Sequence, residues 1–358
     1  MRVLHVAAGN LYGGVERILE EIARHVPAGS RHEFALSFEG RLSAGLDAAG
    51  ARRHQFGAVR FSRPLSVWRA RRRLRRLLMR ERFDAVIGHA PWAFALAAPV
   101  VRDPRKVLWA HDASAGTHWT ERRTARQHPA VVICNSRFTS EVVGSWLNGV
   151  RREVVYAPVS RVAVPPATRS EVRRELHAGP DTVAIVMTSR LEQWKGHLAL
   201  LRAARSLQGE WTMWIAGGTQ RPHEADYLRE LRTFADGLDC RDRIQFLGER
   251  RDIARLLAAA DIHCQPNTEP EPFGLAFVEA LHASLPVVTS DLGGVREVVT
   301  PECGVLVRAG DEEALASALQ ALIDNPSRRA ALGAGGPARA AALCDPATQV
   351  AALERAIR

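Results

Sequence analysis

Two glutamates separated by seven residues carry the clearest chemical signal in the sequence. Glu271 and Glu279 flank residues 272–275, where a proline, an aromatic residue and a glycine precede an apolar run. Proline and glycine are typical of a helix start, which presents unpaired N–H groups and the positive end of the helix dipole. Such a start attracts phosphate. The spacing therefore predicts a phosphate site between two carboxylates that are about 10 Å apart, at ~1.5 Å per helical residue.

That separation matches a nucleotide sugar, measured from the sugar across the diphosphate to the ribose. Each carboxylate would accept hydrogen bonds from hydroxyls, and the amides between them would bind the phosphates. The plain alternative is a capping glutamate at 271 and a solvated helix charge at 279. It suits Glu271, which follows Pro270 and would then simply be exposed. It does not suit Glu279, because its neighbours are apolar and a buried carboxylate needs partners.

Arg190 and Lys195 bracket the predicted start of another helix, beside Gly196. Arginine binds phosphate through two parallel N–H groups, and lysine supplies a compact charge. The alternative is a pair of solvated surface charges. Lys195 argues against it, because Lys106 is the only other lysine among 49 basic residues.

Gly13 and Gly14 follow the first predicted strand and open a helix, so the backbone there can approach a ligand closely. A tight strand–helix turn is the alternative, but it needs only one glycine. Residues 9–14, GNLYGG, are not the G-x-G-x-x-G of dinucleotide-binding proteins, so hydride transfer loses its main support. His111 and Asp112 follow a middle strand, where a single histidine is more often structural than catalytic.

In this order and spacing, the motifs resemble the retaining glycosyltransferases of family 4 (glycosyl transferases group 1), which have the GT-B fold. The resemblance covers most of the chain. Glu271 and Glu279 match the E-x7-E signature of that family, and Arg190 and Lys195 match its phosphate-binding pair. The other matches are Gly13-Gly14, His111-Asp112, Asn135-Ser136, Phe246-Leu247-Gly248 and Ala260-Asp261-Ile262.

The resemblance implies an α/β fold of GT-B type, with two doubly wound Rossmann-like domains facing a central cleft. It implies catalytic roles for His111, Glu271, Arg190 and Lys195, and Asp112 is a further candidate. The implied donor-binding residues are Gly13, Gly14, Arg190, Lys195, Phe273, Gly274, Leu275 and Glu279.

The implied reaction moves a sugar from a nucleotide-diphosphate sugar to a hydroxyl of a glycan or lipid-linked acceptor, in cell-surface glycan or lipopolysaccharide biosynthesis. The family resemblance implies a front-face retaining displacement, in which the leaving phosphate takes the acceptor proton. The sequence has no Asp-x-Asp to hold a metal on the diphosphate, so we expect no metal and no cofactor.

Two alternatives remain beside a transferase, an epimerase and an inactive binding protein, and a third, a phosphorylase, fails. A sugar-nucleotide epimerase of the same fold does not need the E-x7-E spacing. A phosphorylase-like enzyme with pyridoxal phosphate needs a lysine late in the second domain, where this chain has none. A catalytically inactive scaffold or nucleotide-sugar-binding protein would keep the motifs but release no nucleotide diphosphate.

Length and composition suit two globular domains. The chain has 358 residues, with apolar and charged fractions of 46% and 25%. Residues 1–10 read as a strand rather than a signal peptide, and no apolar run reaches the ~18 residues of a membrane span. Five scattered cysteines without CxxC spacing favour reduced thiols in a cytoplasmic protein over a metal site.

Strand and helix patterns alternate, which predicts parallel sheets. The two halves of this pattern predict domains over 1–160 and 169–344. The family resemblance implies that the first binds the acceptor, that the second binds the nucleotide sugar and that a last helix, 345–358, packs back on the first. Strands are predicted at 2–7, 33–38, 84–89, 106–110, 130–134 and 153–156, then at 182–188, 212–216, 243–247, 261–265, 286–289 and 304–307. Helices are predicted at 14–25, 66–80, 136–146, 197–207, 224–237, 252–259, 273–283 and 311–324.

The net charge of +10 comes almost entirely from arginine. No nucleic-acid-binding signature accompanies it, so nucleic acid is the weakest partner class. Residues 64–83 form a predicted helix with an apolar stripe and eight arginines on the remaining surface. The alternative is an ordinary core-packing helix with solvated arginines. If the arginines are free, they would hold the protein reversibly on an anionic membrane surface, as a peripheral protein.

Overall fold

The computed structural model describes residues 1–102 and 105–358. The chain divides into two compact units. The first unit comprises Met1–Ser160 together with Cys344–Arg358, and the second comprises Arg161–Leu343. Residues 157–167 form neither helix nor strand.

The first unit is built on a seven-stranded parallel sheet. The strand order is β3-β2-β1-β4-β5-β6-β7, which is that of a doubly wound α/β fold. The strands are β1 (Arg2–Ala7), β2 (Arg31–Leu36), β3 (Arg53–Gln55), β4 (Ala85–His89), β5 (Arg105–Ala110), β6 (Val131–Cys134) and β7 (Arg152–Val154). Its helices, in chain order, are α1 (Gly14–Arg24), α2 (Arg41–Ala48), α3 (Pro64–Arg80), α4 (Pro91–Ala97), α5 (Trp119–Arg126) and α6 (Arg137–Gly144).

The second unit is built on a six-stranded parallel sheet of the same type, with the order β10-β9-β8-β11-β12-β13. Its strands are β8 (Val183–Thr188), β9 (Trp211–Ala216), β10 (Ile244–Gly248), β11 (Ile262–Gln265), β12 (Val287–Ser290) and β13 (Gly304–Val307). Its helices are α7 (Thr168–Glu175), α8 (His197–Ala204), α9 (Pro222–Asp236), α10 (Ile253–Ala259), α11 (Leu275–His282), α12 (Val295–Val298), α13 (Glu312–Ile323) and α14 (Pro326–Cys344).

The last helix, α15 (Pro346–Ala356), belongs to the first unit. It contacts α1 and β6. Asp345 caps it by accepting the N–H of Thr348 at 2.9 Å, and Pro346 occupies its first turn. The buried side chains Val350 and Leu353 attach it to the unit.

The central strands are apolar along their whole length because both faces of each sheet are covered by helices. Every residue of β8 and β9 is buried, for example. The second unit also buries Trp211 and Trp214 on β9. These continuous runs are the reason that the sequence predicts most strands within one or two residues.

Short elements with mixed polarity are absent from the sequence-based prediction. It omits β3, α2, α5 and α7, which have eight residues or fewer and little apolar periodicity. It also omits α4, which lies in an apolar run containing two prolines, and α14, an alanine-rich helix with Pro337 inside it. Proline at the first helical position favours a helix start rather than preventing it, which explains the error at Pro91.

Helix α3 packs as predicted on its apolar side. Ala70 and Leu74 are buried, and Val67, Leu77 and Leu78 pack against the same cluster. The expectation that all eight arginines are free is wrong, because Arg71 donates to the carbonyl oxygens of Leu96 and Ala95 at 3.1 and 3.0 Å. Within residues 1–102 and 105–358, no helix is both long and apolar enough to cross a membrane.

Candidate functional site

In the second unit, two loops lie where the strand order of the sheet reverses. β8 and β11 are neighbours in the sheet although β9 and β10 separate them in sequence. In doubly wound sheets, ligands bind at this switch point, beyond the carboxyl ends of the strands. The loop after β8 carries Arg190 and Lys195, and the loop after β11 carries Glu271. The topology therefore joins two predicted motifs that are far apart in sequence.

Glu271 is a buried carboxylate with three side-chain partners. It is only 6% exposed, so the alternative of an exposed capping glutamate is wrong. Lys195 Nζ donates to its Oε2 at 2.7 Å, Asn267 Nδ2 at 3.0 Å and Gln265 Nε2 at 3.4 Å. Its backbone carbonyl accepts the N–H of Gly294 at 2.7 Å. A buried charge needs such compensation, and these contacts supply it.

Lys195 is held on two sides. Its ammonium forms the ion pair with Glu271 and also lies 3.8 Å from the centre of the Trp194 ring, within cation–π range. Trp194 Nε1 donates to Glu192 Oε2 at 3.0 Å, and Arg190 Nη1 pairs with Glu192 Oε1 at 3.0 Å. Glu192 therefore positions both Trp194 and Arg190. The Lys195 side chain is 13% exposed and that of Arg190 is 40% exposed.

Two glycines allow these loops to close. Gly196 has φ +83°, and a Cβ there would collide with the carbonyl oxygen of Pro266 in the loop after β11. Gly274 has φ +94° and precedes the first residue of α11, Leu275. A Cβ at Gly274 would collide with the ring of Phe277. Both backbones lie in the left-handed region that favours glycine.

The E-x7-E segment folds as a buried loop followed by a helix. Phe273 is 3% exposed, Gly274 and Leu275 are half-buried, and α11 starts two residues later than predicted. Glu279 lies one turn inside α11 and is half-buried. The expectation of a buried Glu279 is therefore wrong, because its apolar neighbours in sequence occupy other faces of the helix.

In the first unit, Gly13, Gly14 and His111 also lie at the carboxyl ends of central strands. Gly13 is the residue before α1, and Gly14 is its first residue. His111 follows β5 directly, and its backbone carbonyl accepts from Asn135 Nδ2 at 2.8 Å. Asp112, beside it, is exposed.

His111 is one end of a row of four buried histidines, so it is not the single histidine that the sequence suggested. Its Nε2 lies 2.9 Å from His89 Nδ1. His89 Nε2 lies 2.8 Å from His5 Nδ1, and His5 Nε2 lies 2.8 Å from His32 Nδ1. His32 Nε2 lies 3.1 Å from Glu354 Oε1, on α15. We call these five residues the histidine row.

Burial keeps the four histidines of the row neutral. It lowers the pKa of His111 to about 3 and lowers the pKa values of His5 and His89 well below 6.5. Burial also lowers the pKa of His32, although the hydrogen bond to Glu354 opposes that shift. At neutral pH each ring therefore has one N–H donor and one acceptor nitrogen. His111 Nδ1 is buried and has no hydrogen-bond partner among the residues that the structure describes.

Metal chemistry has no evident ligand set in the described part of the chain. Residues 1–102 and 105–358 hold no group of three histidine, cysteine, aspartate or glutamate side chains that is arranged to bind a metal ion. Lys195 pairs with Glu271 in the loop before α11, and Arg190 lies in the same loop as Lys195. What these residues offer chemically is charge for a phosphate and carboxylates for hydroxyl groups.

Comparison with known proteins decides the family. The model of glycosyl transferases group 1 matches residues 168–339, and that of glycosyltransferase family 4 matches residues 12–161. A lipopolysaccharide core biosynthesis mannosyltransferase, LpcC of Rhizobium leguminosarum bv. viciae, is 30% identical over 279 residues, which cover 75% of this chain and 74% of the relative. The chain belongs to this glycosyltransferase family.

A further relative and a solved structure are also similar to this chain. A GDP-mannose-dependent monoacylated α-(1-6)-phosphatidylinositol monomannoside mannosyltransferase of Corynebacterium glutamicum is 33% identical over 184 residues, or 48% of this chain. The match spans about half, 46%, of that relative's length. The crystal structure of Anabaena HepE with UDP-glucose superposes with a TM-score of 0.87 at 24% identity, over 99% of each chain. That likeness establishes the GT-B fold.

Several residues of the site were missed from the sequence of this glycosyltransferase. Gln265, Asn267, Glu192 and Trp194 all contact site residues or their partners, and each lies within six residues of a predicted site residue. Proximity to the motifs was therefore an available signal. The histidine row had no local signal, because its five members come from five separate segments of the sequence.

Proposed function

We propose that this protein is a retaining, metal-independent glycosyltransferase that moves a sugar from a nucleotide-diphosphate sugar to a hydroxyl acceptor. The observation that carries this is the Lys195–Glu271 ion pair at 2.7 Å, in the loops next to the start of α11. It combines a fixed positive charge, a buried carboxylate and a helix N-terminus, which together suit a diphosphate and its sugar.

Each proposed donor contact has a physical reason. Lys195 and Arg190 bind the diphosphate and stabilise its charge as it leaves, while the amides at Gly274 and Leu275 donate hydrogen bonds to the remaining phosphate oxygens. Glu271 accepts a hydrogen bond from a sugar hydroxyl and holds Lys195 in place. Glu279, inside α11, accepts from the ribose.

In the first unit, Gly13 and Gly14 let the backbone of the α1 start approach the donor, and His111 accepts a hydrogen bond from a substrate hydroxyl. Asp112 is exposed and is a further candidate contact for the acceptor hydroxyl. Most of the proposed donor contacts belong to the second unit, and acceptor binding belongs to the first.

The proposed displacement is balanced without a metal or a protein nucleophile. The bond from the anomeric carbon to the phosphate oxygen breaks, and the acceptor oxygen bonds to the same face of that carbon. The proton of the acceptor hydroxyl passes to the leaving phosphate. The positive side chains Lys195 and Arg190 do the charge stabilisation that a metal ion does elsewhere.

The relatives suggest the substrate class. One is named as a mannosyltransferase of lipopolysaccharide core biosynthesis. Another is named as a GDP-mannose-dependent mannosyltransferase that acts on a phosphatidylinositol monomannoside. We therefore propose a glycan or lipid-linked acceptor in cell-surface glycan biosynthesis, with GDP- and UDP-sugars as the donors to test.

Helix α3 supports a cytoplasmic protein that binds reversibly to the inner face of a membrane. Arg69, Arg72, Arg75 and Arg76 are exposed. So are the apolar side chains Leu65, Trp68 and Met79, which the charge pattern alone did not reveal. A tryptophan among arginines suits the interface of an anionic membrane, where each basic residue contributes about 1 kcal/mol.

Donor screening tests the proposal. Thermal shifts are measured with GDP-mannose, UDP-glucose and related nucleotide sugars, since a ligand at 100 times its Kd stabilises by about 2.7 kcal/mol. The stabilising donor is then incubated with hydroxyl acceptors in EDTA, and nucleotide diphosphate release and the anomeric configuration of the product are followed by NMR.

We expect nucleotide diphosphate release in EDTA and a product with the donor's configuration. An inverted product, or activity that magnesium alone restores, would refute the retaining or the metal-independent part. Binding without release, across all donors and acceptors, would support a nucleotide-sugar-binding protein. Isomerised nucleotide sugar without release would support an epimerase.

A further inference from the structure

We propose that the histidine row fixes the tautomer of His111. In this arrangement Glu354 sets the hydrogen-bond direction through His32, His5 and His89, and His111 Nδ1 becomes an obligatory hydrogen-bond acceptor. Glu354 and the three inner histidines are then positioning residues for His111. The inference rests on the proposed function only in naming a sugar or acceptor hydroxyl as the group that Nδ1 receives.

The direction follows from proton counting along the row. An ionised Glu354 can only accept, so His32 donates from Nε2 and its Nδ1 is an acceptor. His5 must then donate from Nε2 to His32, and His89 from Nε2 to His5. His111 donates from Nε2 to His89. All four rings therefore carry their proton on Nε2, and the last acceptor nitrogen is His111 Nδ1.

The opposite direction requires one more proton. If Glu354 is protonated and donates to His32, every ring carries its proton on Nδ1 instead, and His111 becomes a donor. The two directions differ by a single proton. When a proton is added at His111 Nδ1, each ring passes its Nε2 proton to the next residue and Glu354 becomes protonated. The tautomer of His111 is thus coupled to the charge of a carboxylate on α15, on the far side of three histidines.

The packing keeps the rings in this order. The members are 0–8% exposed, so water does not compete for their nitrogens. Neighbouring rings stack at centroid distances of 5.1–5.2 Å, and His5 also stacks on Phe34 at 5.0 Å. The free end is also defined, because Trp109 stacks on His111 at 5.2 Å and Asn135 holds its backbone carbonyl.

A ligand that binds the outer end of the row would satisfy a buried nitrogen. A buried polar nitrogen without a hydrogen bond costs about 1–3 kcal/mol. His111 Nδ1 has no partner among the described residues and lies directly after β5, at the carboxyl edge of the sheet where ligands bind in this fold class. A hydroxyl donor from a substrate would satisfy it.

The test is NMR of the full-length protein labelled with ¹⁵N-histidine, at pH 7. Long-range ¹H–¹⁵N correlation distinguishes a protonated ring nitrogen from an acceptor nitrogen, and loss of one spin system in His111→Asn assigns His111. We expect an acceptor-type Nδ1 and a protonated Nε2 in the unaltered protein. A protonated His111 Nδ1 overturns the proposal, and this measurement needs no variant that might fail to fold.

The second measurement uses Glu354→Gln, which keeps the shape and removes the charge. We expect the His111 nitrogens to shift towards averaged tautomer values and kcat/KM to fall about tenfold, the scale of one lost neutral hydrogen bond. Glu33→Gln is the matched control, because Glu33 is also buried and accepts from one ring, His54 Nε2, at 2.7 Å outside the row. It should leave both readouts unchanged.

The outcomes separate this proposal from the function. If the ¹⁵N chemical shifts of His111 are unchanged in Glu354→Gln, the coupling between Glu354 and His111 is refuted. If those shifts change but kcat/KM does not, the positioning role is refuted. If the unaltered protein transfers no sugar at all, the proposed function fails, while the tautomer measurement still decides whether Glu354 and His111 are coupled.

Discussion

At the residue scale, the Lys195–Glu271 pair explains why position 195 is a lysine, although nearly all other basic residues of this chain are arginines. The ammonium fits between the Glu271 carboxylate at 2.7 Å and the Trp194 ring at 3.8 Å. A planar guanidinium is larger and needs two parallel acceptors. The site thus selects a compact charge, and the rarity of lysine in the sequence was a valid pointer to it.

Lys195→Ala should lower kcat/KM by about 10²-fold or more, because it removes a charge that stabilises the leaving diphosphate. Lys195→Arg should restore little of the lost activity, because a guanidinium is larger than the ammonium that it replaces. Steady-state kinetics with the donor identified by thermal shift measures both. Lys106→Ala is the matched control and should retain full activity. An Lys195→Arg variant as active as the unaltered protein would refute the argument.

Glu279 should act in binding rather than in chemistry. Glu279→Gln is expected to raise the donor KM by about tenfold with a small change in kcat, because a ribose contact is similar in the ground and transition states. Glu313→Gln, an exposed glutamate on α13, serves as the control. A large fall in kcat at constant KM would instead assign Glu279 to the chemical step.

At this scale the sequence did not show the surroundings of the predicted site residues. Lys195 and Glu271 were assigned to separate tasks, and nothing local indicated that they form an ion pair. The sequence favoured a buried Glu279 and left an exposed Glu271 open, whereas Glu271 is buried and Glu279 is half-buried. Burial depends on how a loop folds against the neighbouring loop, and that is set by β8–β11 pairing rather than by adjacent residues.

At the scale of elements, the loop after β8 depends on Gly196. Its left-handed φ alone would cost an alanine about 1–2 kcal/mol. The collision of a Cβ with the Pro266 carbonyl adds an overpacking cost of about 1–3 kcal/mol, because a backbone atom must move.

Gly196→Ala should therefore destabilise the protein more than Gly209→Ala, which has the same φ of +83° but whose nearest neighbour, Ile323, would be 3.6 Å from the Cβ. Urea denaturation measures the difference, expected to be at least about 1 kcal/mol. Gly196→Ala should also reduce donor affinity, since Lys195 precedes it. Equal costs for the two variants would mean that the loop after β11 moves freely.

The histidine row shows what element-level reasoning from sequence cannot reach. In the order His32, His5, His89 and His111, each histidine lies two residues further along the chain than the residue paired with the previous one. All four therefore share one face of the sheet. Strand positions were predicted to within one or two residues, but a one-residue shift moves a side chain to the opposite face. Register had to be known before the row could be seen.

At the scale of the whole molecule, the buried histidines predict acid sensitivity. The pKa of His111 falls from 6.5 to about 3 on folding, so the unfolded chain binds more protons between those values and stability decreases as pH falls through that window. One such histidine accounts for about 2 kcal/mol between pH 7 and pH 5. Well above pH 6.5 the histidine is neutral in both the folded and the unfolded state, so its burial then costs no stability through protonation.

Urea midpoints measured at pH 5, 6 and 7 should therefore decline with acidification. His111→Asn should flatten the slope of unfolding free energy by up to about 1.4 kcal/mol per pH unit, whereas exposed His223→Asn should not change it. A slope that is the same in both variants would show that His111 is not held neutral by burial.

The whole-molecule charge gives the last prediction, on membrane binding. Sedimentation with vesicles should show binding to anionic but not to neutral lipid, because the basic face of α3 is exposed beside Trp68. Replacing four exposed arginines of α3 by glutamine should weaken that binding by up to about 4 kcal/mol, at about 1 kcal/mol each. The four are Arg69, Arg72, Arg75 and Arg76.

The control must remove the same charge from elsewhere. Four exposed arginines of the second unit, Arg174, Arg205, Arg232 and Arg328, reduce the net charge of +10 by the same amount when changed to glutamine. If net charge alone drives binding, both variants lose it equally. If α3 is the binding element, only its variant releases the vesicles, and Trp68→Ala weakens binding further without altering charge. Equal binding to neutral and anionic vesicles would refute the electrostatic account, since screening by salt and lipid charge could then play no part.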